Sequence, residues 1–323
     1  MPSPGEMKFA AVIYNPIKVD LAALREVVDE AEHDHGWSSS LWLSTSTEDA
    51  GQERAAEAVQ SGASVVIVAG GDGTVRAVAE GLQSGSIPLA LLPSGTGNLL
   101  ARNLGIPLND VAAAVTIAFT GDVHRIDVGR ITVTREDQSE SSHVFVVMAG
   151  LGLDAKMLAN TDDDLKKKAG WLAYVTALAT TLRDPHELRF RYSLNGGQQR
   201  SLRAHTLIVA NCGALPSNIV LLPDAEVDDG QFDIALLRPT GVIGWVQIFF
   251  KVIWENGVLR RSRAGRAFMT KEVSALRYVK ATQIGIRLAR AEQIELDGDG
   301  FGSALAFEAQ IDPKALSIMF PRS

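Results

Sequence analysis

An α/β domain built on a mostly parallel sheet, followed by a β-rich, antiparallel, sandwich-like domain, is the fold class that the 323-residue sequence predicts. Three observations carry it. Up to about residue 127, short apolar runs alternate with segments of helical spacing, the pattern of a parallel sheet covered by helices. Beyond Asp127 the texture changes to strand-like runs, some of them separated by polar turns. Two of the early apolar runs end in glycine-rich turns, Gly70-Gly71-Asp72-Gly73-Thr74 and Ser94-Gly95-Thr96-Gly97-Asn98. The carboxyl ends of strands are where open α/β sheets bind ligands.

In the first domain, residues 1–127, Lys8 to Tyr14 reads as a strand ending at Asn15-Pro16. Asp20 to His33 places Leu21, Leu24, Val27 and Val28 at helical spacing, with Asp20 as N-cap. Strands follow at Ser39–Leu43, Val65–Ala69 and Leu89–Leu92, and helices at Glu53–Gln60, Val75–Leu82, Asn98–Leu104 and Val111–Phe119. In the second domain, residues 128–323, strands are expected at Val128–Thr134, His143–Met148, Leu188–Leu194, Ala204–Ala210, Gly230–Leu237, Gln283–Arg287 and Gln293–Leu296. Helical stretches are read at Asp164–Leu182 and Val242–Asn256, and the last residues of the chain are expected to pack back on the first domain.

Composition narrows the function. A net charge of -7 argues against a general nucleic-acid binder. The single cysteine, Cys212, excludes an internal disulfide and disfavours a thiolate zinc site. No signal-peptide core or uninterrupted membrane-spanning run is read, so the expected location is the cytoplasm. The six histidines show no metal-ligand spacing, and Ser94 is not in a G-x-S-x-G elbow. Neither glycine run is a Walker A motif or a dinucleotide fingerprint. Glycines let backbone N–H groups close on an anion, and a following helix N-terminus adds positive potential. Two such turns side by side form a phosphate cradle and point to a nucleotide.

Gly70–Thr74 together with Ser94–Asn98 resembles the diacylglycerol kinase catalytic-domain family, which takes in bacterial lipid kinases and sphingosine and ceramide kinases. Three further segments match in order. They are Asn15-Pro16 after the first strand, the acidic segment Leu222 to Asp233, and Asp297-Gly298-Asp299. The resemblance implies an NAD-kinase/diacylglycerol-kinase-like fold and an active site in a cleft between domains. The implied reaction is ATP- and Mg²⁺-dependent transfer of the γ-phosphoryl to a lipid alcohol, diacylglycerol first and a sphingoid base second.

Under this resemblance Asn15, Pro16, Thr45, Gly70, Gly71, Asp72, Gly73, Thr74, Val75, Arg76, Ser94, Gly95, Thr96 and Asn98 are expected at the ATP site, with Thr47 the rival of Thr45. Asp299 is the expected general base, with Asp297 and Asp72 as further catalytic carboxylates. Glu226, Asp229 and Gln231 are expected to hold a structural Mg²⁺. Asp-Gly is also a hairpin signal, so turn and active site are read as one object. The implied partner is a lipid presented at a membrane surface, visited peripherally, and the resemblance leaves a homodimer open. Lys166-Lys167-Lys168 near Trp171 and Tyr174 reads first as a solvated helix face, with headgroup contact as the alternative.

Three positions depart from the family pattern. Ile17-Lys18-Val19 follows Asn15-Pro16 where Ser-Gly is frequent, Leu99 replaces an acidic residue, and Asp299 stands where many members have Glu. Two other functions compete with lipid phosphorylation: an NAD-kinase-like enzyme acting on a soluble substrate, and a non-catalytic lipid- or nucleotide-binding regulator.

Overall fold

A computed structural model describes residues 8–152, 187–215, 219–239, 244 and 276–322. The helices read at 164–182 and 242–256, and Lys166–Lys168 with Trp171 and Tyr174, lie outside the described residues, Gly244 apart. The chain divides into two compact units. One holds residues up to Val128, Val227–Gly230 and everything from Asp312; the other holds Gly129–Glu226 and Gln231–Ile311.

The first unit is the expected α/β layer. Its strands are β1 (Phe9–Tyr14), β2 (Ser38–Ser44), β3 (Val65–Gly70) and β4 (Leu89–Pro93). Its helices are α1 (Leu21–His35), α2 (Gln52–Gln60), α3 (Asp72–Leu82), α4 (Leu99–Asn103) and α5 (Val111–Thr120). The strands pair in parallel in the order β4-β3-β1-β2. Every residue of β3 is buried, as a continuous apolar run covered on both faces requires. α1 starts where Asp20 accepts hydrogen bonds from the N–H groups of Ala22 and Ala23, and it stops at Gly36, whose φ of 68° suits glycine.

Helix α2 has a different kind of cap. Burial pushes the Asp49 carboxyl up, but hydrogen bonds from the N–H groups of Gly51, Glu53 and Arg54, with the Arg54 charge, bring it below the usual range. A lowered folded-state value gives stability that is present above the ordinary carboxylate pKa and lost as pH falls through the Asp49 value. Asp49→Asn should therefore lower the Tm at neutral pH, by an amount worth about 1 kcal/mol. The difference from the parent should close in acid, as thermal melts at several pH values would show.

The second unit is antiparallel. Its strands are β5 (Asp122–Thr134, from Gly129 on), β6 (Glu140–Phe145), β7 (Met148–Leu151), β8 (Leu188–Leu194), β9 (Arg200–Ala204), β10 (Thr206–Ala210), β11 (Ala214–Leu215), β12 (Ile219–Val220), β13 (Phe232–Leu237), β14 (Leu276–Ala281), β15 (Gln283–Leu296) and β16 (Asp299–Phe320, up to Ile311). They surround a core in which Phe145 stacks on Phe232 at 5.4 Å, among Leu151, Leu207, Ile234 and Ile294. Register shifts after Arg287 and Gln293 bend β15, so its first half pairs with β8 and its last residues with β7. One bent strand thus pairs with different neighbours along its length.

Several strands differ from the expectation. The reading at His143–Met148 covers parts of two strands, β6 and β7, and Ala204–Ala210 takes in the last residue of β9 and all of β10. The two short runs at 283–287 and 293–296 are one strand, β15, whose bulges interrupt the alternation between them. β14 and β16 were not legible. β16 carries Gly300, Gly302 and Pro313, which disguise a strand of 22 residues.

Its last residues close the first unit. Ile318 pairs in parallel with Leu89 of β4, and the buried Asp127 carboxylate accepts the N–H groups of Gly230 (2.6 Å) and Lys314 (2.7 Å). Those bonds explain why two late segments belong with the first 128 residues.

Candidate functional site

In the order β4-β3-β1-β2 the chain goes from β1 to one side for β2 and to the other for β3. The β1/β3 boundary is therefore the topological switch point, the crevice where open α/β sheets take ligands. The segments leaving it are Asn15–Lys18 and Gly70–Thr74. Asn15 donates its N–H to Ala69 O, and its side-chain oxygen accepts the Ile17 N–H, folding a tight turn that exposes Lys18.

The two glycine runs touch. A Cβ on Gly95 would stand 2.7 Å from the Gly71 Cα, and one on Gly97 would stand 2.5 Å from the Asp72 Oδ2. Neither space admits a side chain. Asp72 is the fastener: its Oδ2 accepts the N–H of Asn98 (2.9 Å) and its Oδ1 that of Leu99 (2.5 Å). Asn98 sits in the left-handed region (φ 48°), with its amide bonded to both backbone atoms of Gly95, and Arg102 Nε holds Gly97 O. The Lys18 ammonium occupies the space over Gly71, 2.7 Å from where a Cβ would be. The departure from Ser-Gly after Asn15-Pro16 thus places a cation at the turn.

These contacts set two glycines apart. At Gly95 an added methyl meets backbone, which cannot swing away; at Gly71 it meets chiefly the end of a flexible lysine. Gly95→Ala should destabilise the chain by about 1–3 kcal/mol, and Gly71→Ala by clearly less. Urea titrations of the two variants check the ranking, and equal midpoints would contradict it.

Of the residues expected at the nucleotide, Asn15, Gly70, Gly71, Asp72, Gly73, Ser94, Gly95, Thr96 and Asn98 fall on these adjoining turns, with Thr96 exposed. Pro16 is exposed beside them, and Val75 lies half-buried in the first turn of α3. Thr74 is buried, its Cβ packed against Gly70. Arg76 is buried along α3, its guanidinium 4.0 Å from Glu80. Thr45 is buried too, beside Gly51, whereas the rival Thr47 is exposed. A cavity of about 300 Å³ opens next to the turns, lined among others by Lys18, Leu24, Ala69, Pro93, Ser94 and Leu108.

In the second unit Asp297-Gly298 forms a two-residue hairpin loop between β15 and β16, with both φ values positive (51° and 88°) and Leu296 paired to Asp299. The two carboxylates that close this hairpin have different fates. Asp297 is buried, and its oxygens accept the N–H groups of Val146 (3.0 Å), Val147 (2.8 Å) and Met148 (2.9 Å). Asp299, two residues on, is exposed.

Asn211 and Cys212 lie against the same stretch, both bonded to Val146 O. Nothing in the sequence marks Asn211. Burial, and then the Asp297 charge, push the Cys212 thiol up, so it is no nucleophile.

The acidic segment is mixed. Glu226 is exposed, Asp229 and Gln231 are half-buried, and no three His, Cys, Asp or Glu side chains among the described residues gather as a metal-holding group. Burial raises the Asp127 carboxyl above its usual value, the Lys314 and Gly230 N–H groups oppose this, and the Asp229 and Asp228 charges add to the rise. By residue type Glu226, Asp229 and Gln231 offer only oxygen ligands, which suits Mg²⁺, an ion that keeps several waters and needs few carboxylates.

Known proteins share this architecture. Residues 10–131 match the diacylglycerol kinase catalytic domain and residues 146–320 the YegS C-terminal NAD kinase beta sandwich-like domain. A Pseudomonas aeruginosa protein described as "Probable lipid kinase YegS-like" is 35% identical over 58% of this chain, a match that spans only 59% of that protein's length. A Pseudomonas fluorescens protein of the same description is 34% identical over 93% of this chain and 90% of its own. The Bacillus subtilis protein described as a diacylglycerol kinase is 26% identical over 94% and 93%.

The fold is likewise that of a Bacillus anthracis diacylglycerol kinase (TM-score 0.71, 22% identity, 98% of both chains). It is more distantly that of yeast NADH kinase (TM-score 0.52, 9% identity, 98% of this chain and 84% of that one). A catalytic-domain match in the first unit, a sandwich-domain match in the second and a relative aligned almost end to end leave one conclusion: the chain belongs to the YegS-like, diacylglycerol kinase catalytic-domain family.

Proposed function

We propose that the chain transfers the γ-phosphoryl group of ATP to the hydroxyl of a lipid alcohol, with diacylglycerol the first candidate acceptor and a sphingoid base the second. The observation that carries this reading is the contact between the two glycine turns, fastened by Asp72 and topped by the Lys18 ammonium. Such a surface brings a cation and closely packed glycine backbone to an anion while leaving no room for side chains. The Pseudomonas fluorescens relative is described as a probable lipid kinase, and the Bacillus subtilis relative as a diacylglycerol kinase.

In this reading the adjoining turns hold the phosphates, and Lys18 offsets their charge. The exposed Asp299 takes the proton of the acceptor hydroxyl as that oxygen bonds to the γ-phosphorus and the bond to the β-phosphate oxygen breaks, releasing ADP. Asp297 positions Asp299 by fixing the hairpin to the 146–148 backbone. Mg²⁺ would neutralise phosphate charge, and a structural ion would be held at Asp229 with oxygens of Glu226 and Gln231 and water.

The test offers γ-labelled ATP and Mg²⁺ with diacylglycerol, a sphingoid base and NAD in separate reactions. Label in diacylglycerol is expected. Label in NAD alone would replace the reading by a soluble-substrate kinase, and ATP binding without any labelled product by a regulator. Asp299→Asn should cut kcat by about 10²–10⁴ while leaving the urea midpoint unchanged, because the side chain is exposed.

A further inference from the structure

On the second unit, far in sequence from the glycine turns, β9, β8 and β15 lie side by side, and their outward faces carry arginines in register. Arg189 of β8 stands opposite Arg203 of β9, and Arg191 of β8 opposite Arg287 of β15. The alternating residues Leu188, Phe190, Leu288 and Ala204 are buried in the sandwich core. With Arg238, just beyond β13, these arginines ring a cavity of about 560 Å³.

Like charges directly opposite one another across strands oppose pairing. Here two such pairs sit on neighbouring strands of a chain whose net charge is -7. Glu187 lies 3.7 Å from Arg189 and 3.6 Å from Arg203, so one carboxylate is shared between two guanidinium groups. Arg191, Arg238 and Arg287 have no ion-pair partner among the described residues, and all three are exposed. Among the described residues the face is therefore short of negative charge by several units.

We propose that this arginine face docks the chain on a bilayer through the phosphates of anionic phospholipid headgroups. Planar guanidinium groups match phosphate oxygens two at a time, and a ring of them accepts several headgroups at once. A chain that is negative overall is repelled by an anionic bilayer at long range. A concentrated positive face overcomes that repulsion at short range and sets the orientation in which the chain arrives. The choice of a bilayer as occupant rests on the lipid-acceptor reading; the charge deficit of the face does not.

Sedimentation with phosphatidylcholine vesicles, with and without phosphatidylglycerol, tests the docking without any need for turnover. The parent should bind the anionic vesicles, release them as salt is raised, and ignore the neutral ones. Each arginine near an anionic surface is worth about fivefold in partitioning, so Arg191→Gln with Arg287→Gln should weaken binding about thirtyfold. Because the variant relieves a like-charge pair, its Tm should equal or exceed that of the parent, which separates lost docking from lost folding.

Equal binding to both vesicle types, or undiminished binding by the double variant, would overturn the proposal. So would a dimer, found without vesicle binding and abolished by the variant, which would assign the face to a second copy. A chain that phosphorylates no lipid yet loses vesicle binding in the variant would refute the kinase reading and keep the docking. Unchanged vesicle binding beside normal lipid phosphorylation would do the reverse.

Discussion

Asp297→Asn should lower the unfolding free energy by on the order of 3 kcal/mol, which makes it the most destabilising of the substitutions considered. The carboxylate is buried, and its two oxygens accept three consecutive backbone N–H groups. An amide of the same shape has one oxygen, and its own N–H₂ would confront donors. At least one N–H of the 146–148 stretch would then be buried without an acceptor, and charge-assisted bonds would be lost with it. The measurement is the urea midpoint at constant slope, followed by activity at a denaturant concentration where both proteins are folded. A variant as stable as the parent would show that the three bonds contribute nothing net.

Asp72→Ala should produce the largest loss of activity by a residue of the first unit, about 10²-fold or more in kcat/KM for ATP. Removing the carboxylate frees the N–H groups of Asn98 and Leu99, and the second glycine run loses its tie to the first. In the proposed reading the two turns hold one phosphate chain, and a shift of about 1 Å between them suffices for a loss of that size. Stability should fall as well, by about 1–3 kcal/mol. Asp72→Asn, which keeps one acceptor oxygen, should fall between the parent and the alanine variant in both measurements. Identical kinetics for all three would remove Asp72 from the site.

Much of the first unit was legible because parallel strands announce themselves. Val65–Ala69 and Leu89–Leu92 are short, wholly apolar runs ending in glycine or proline turns, and both lie in strands as read. α3 begins three residues before the expected Val75, since Gly71 O already accepts the Val75 N–H and Gly73 of the turn enters the helix.

The second unit was harder for a definite reason. Its strands are bent or interrupted, so the two-residue alternation that marks a strand is lost at the bulges of β15 and at Gly300, Gly302 and Pro313 of β16. β5 begins at Asp122, earlier than read, because its first four residues are exposed and lack an apolar face.

At the site, residue type and order pointed to the glycine turns and to the hairpin. They could not tell that Asp297 is buried and Asp299 exposed, because burial is a property of the fold. Lys18 was visible as a charge, but its place over Gly71 depends on how tightly Asn15–Lys18 turns. The arginine face was invisible, since Arg189, Arg191, Arg203, Arg238 and Arg287 come from separate strands and segments.

The pairing of Ile318 with Leu89 constrains how the chain can be made. During synthesis β1 to β4 emerge early with their helices, but the neighbour of β4 emerges only after the strands of the second unit. Until then the first unit has an apolar strand edge open to any passing strand, and Asp127 lacks its Lys314 bond. Its assembly therefore waits on residues that follow the second unit in the sequence. A chain cut before Asp312 would not be a shorter protein with an intact nucleotide-binding half; it would be an aggregation-prone one.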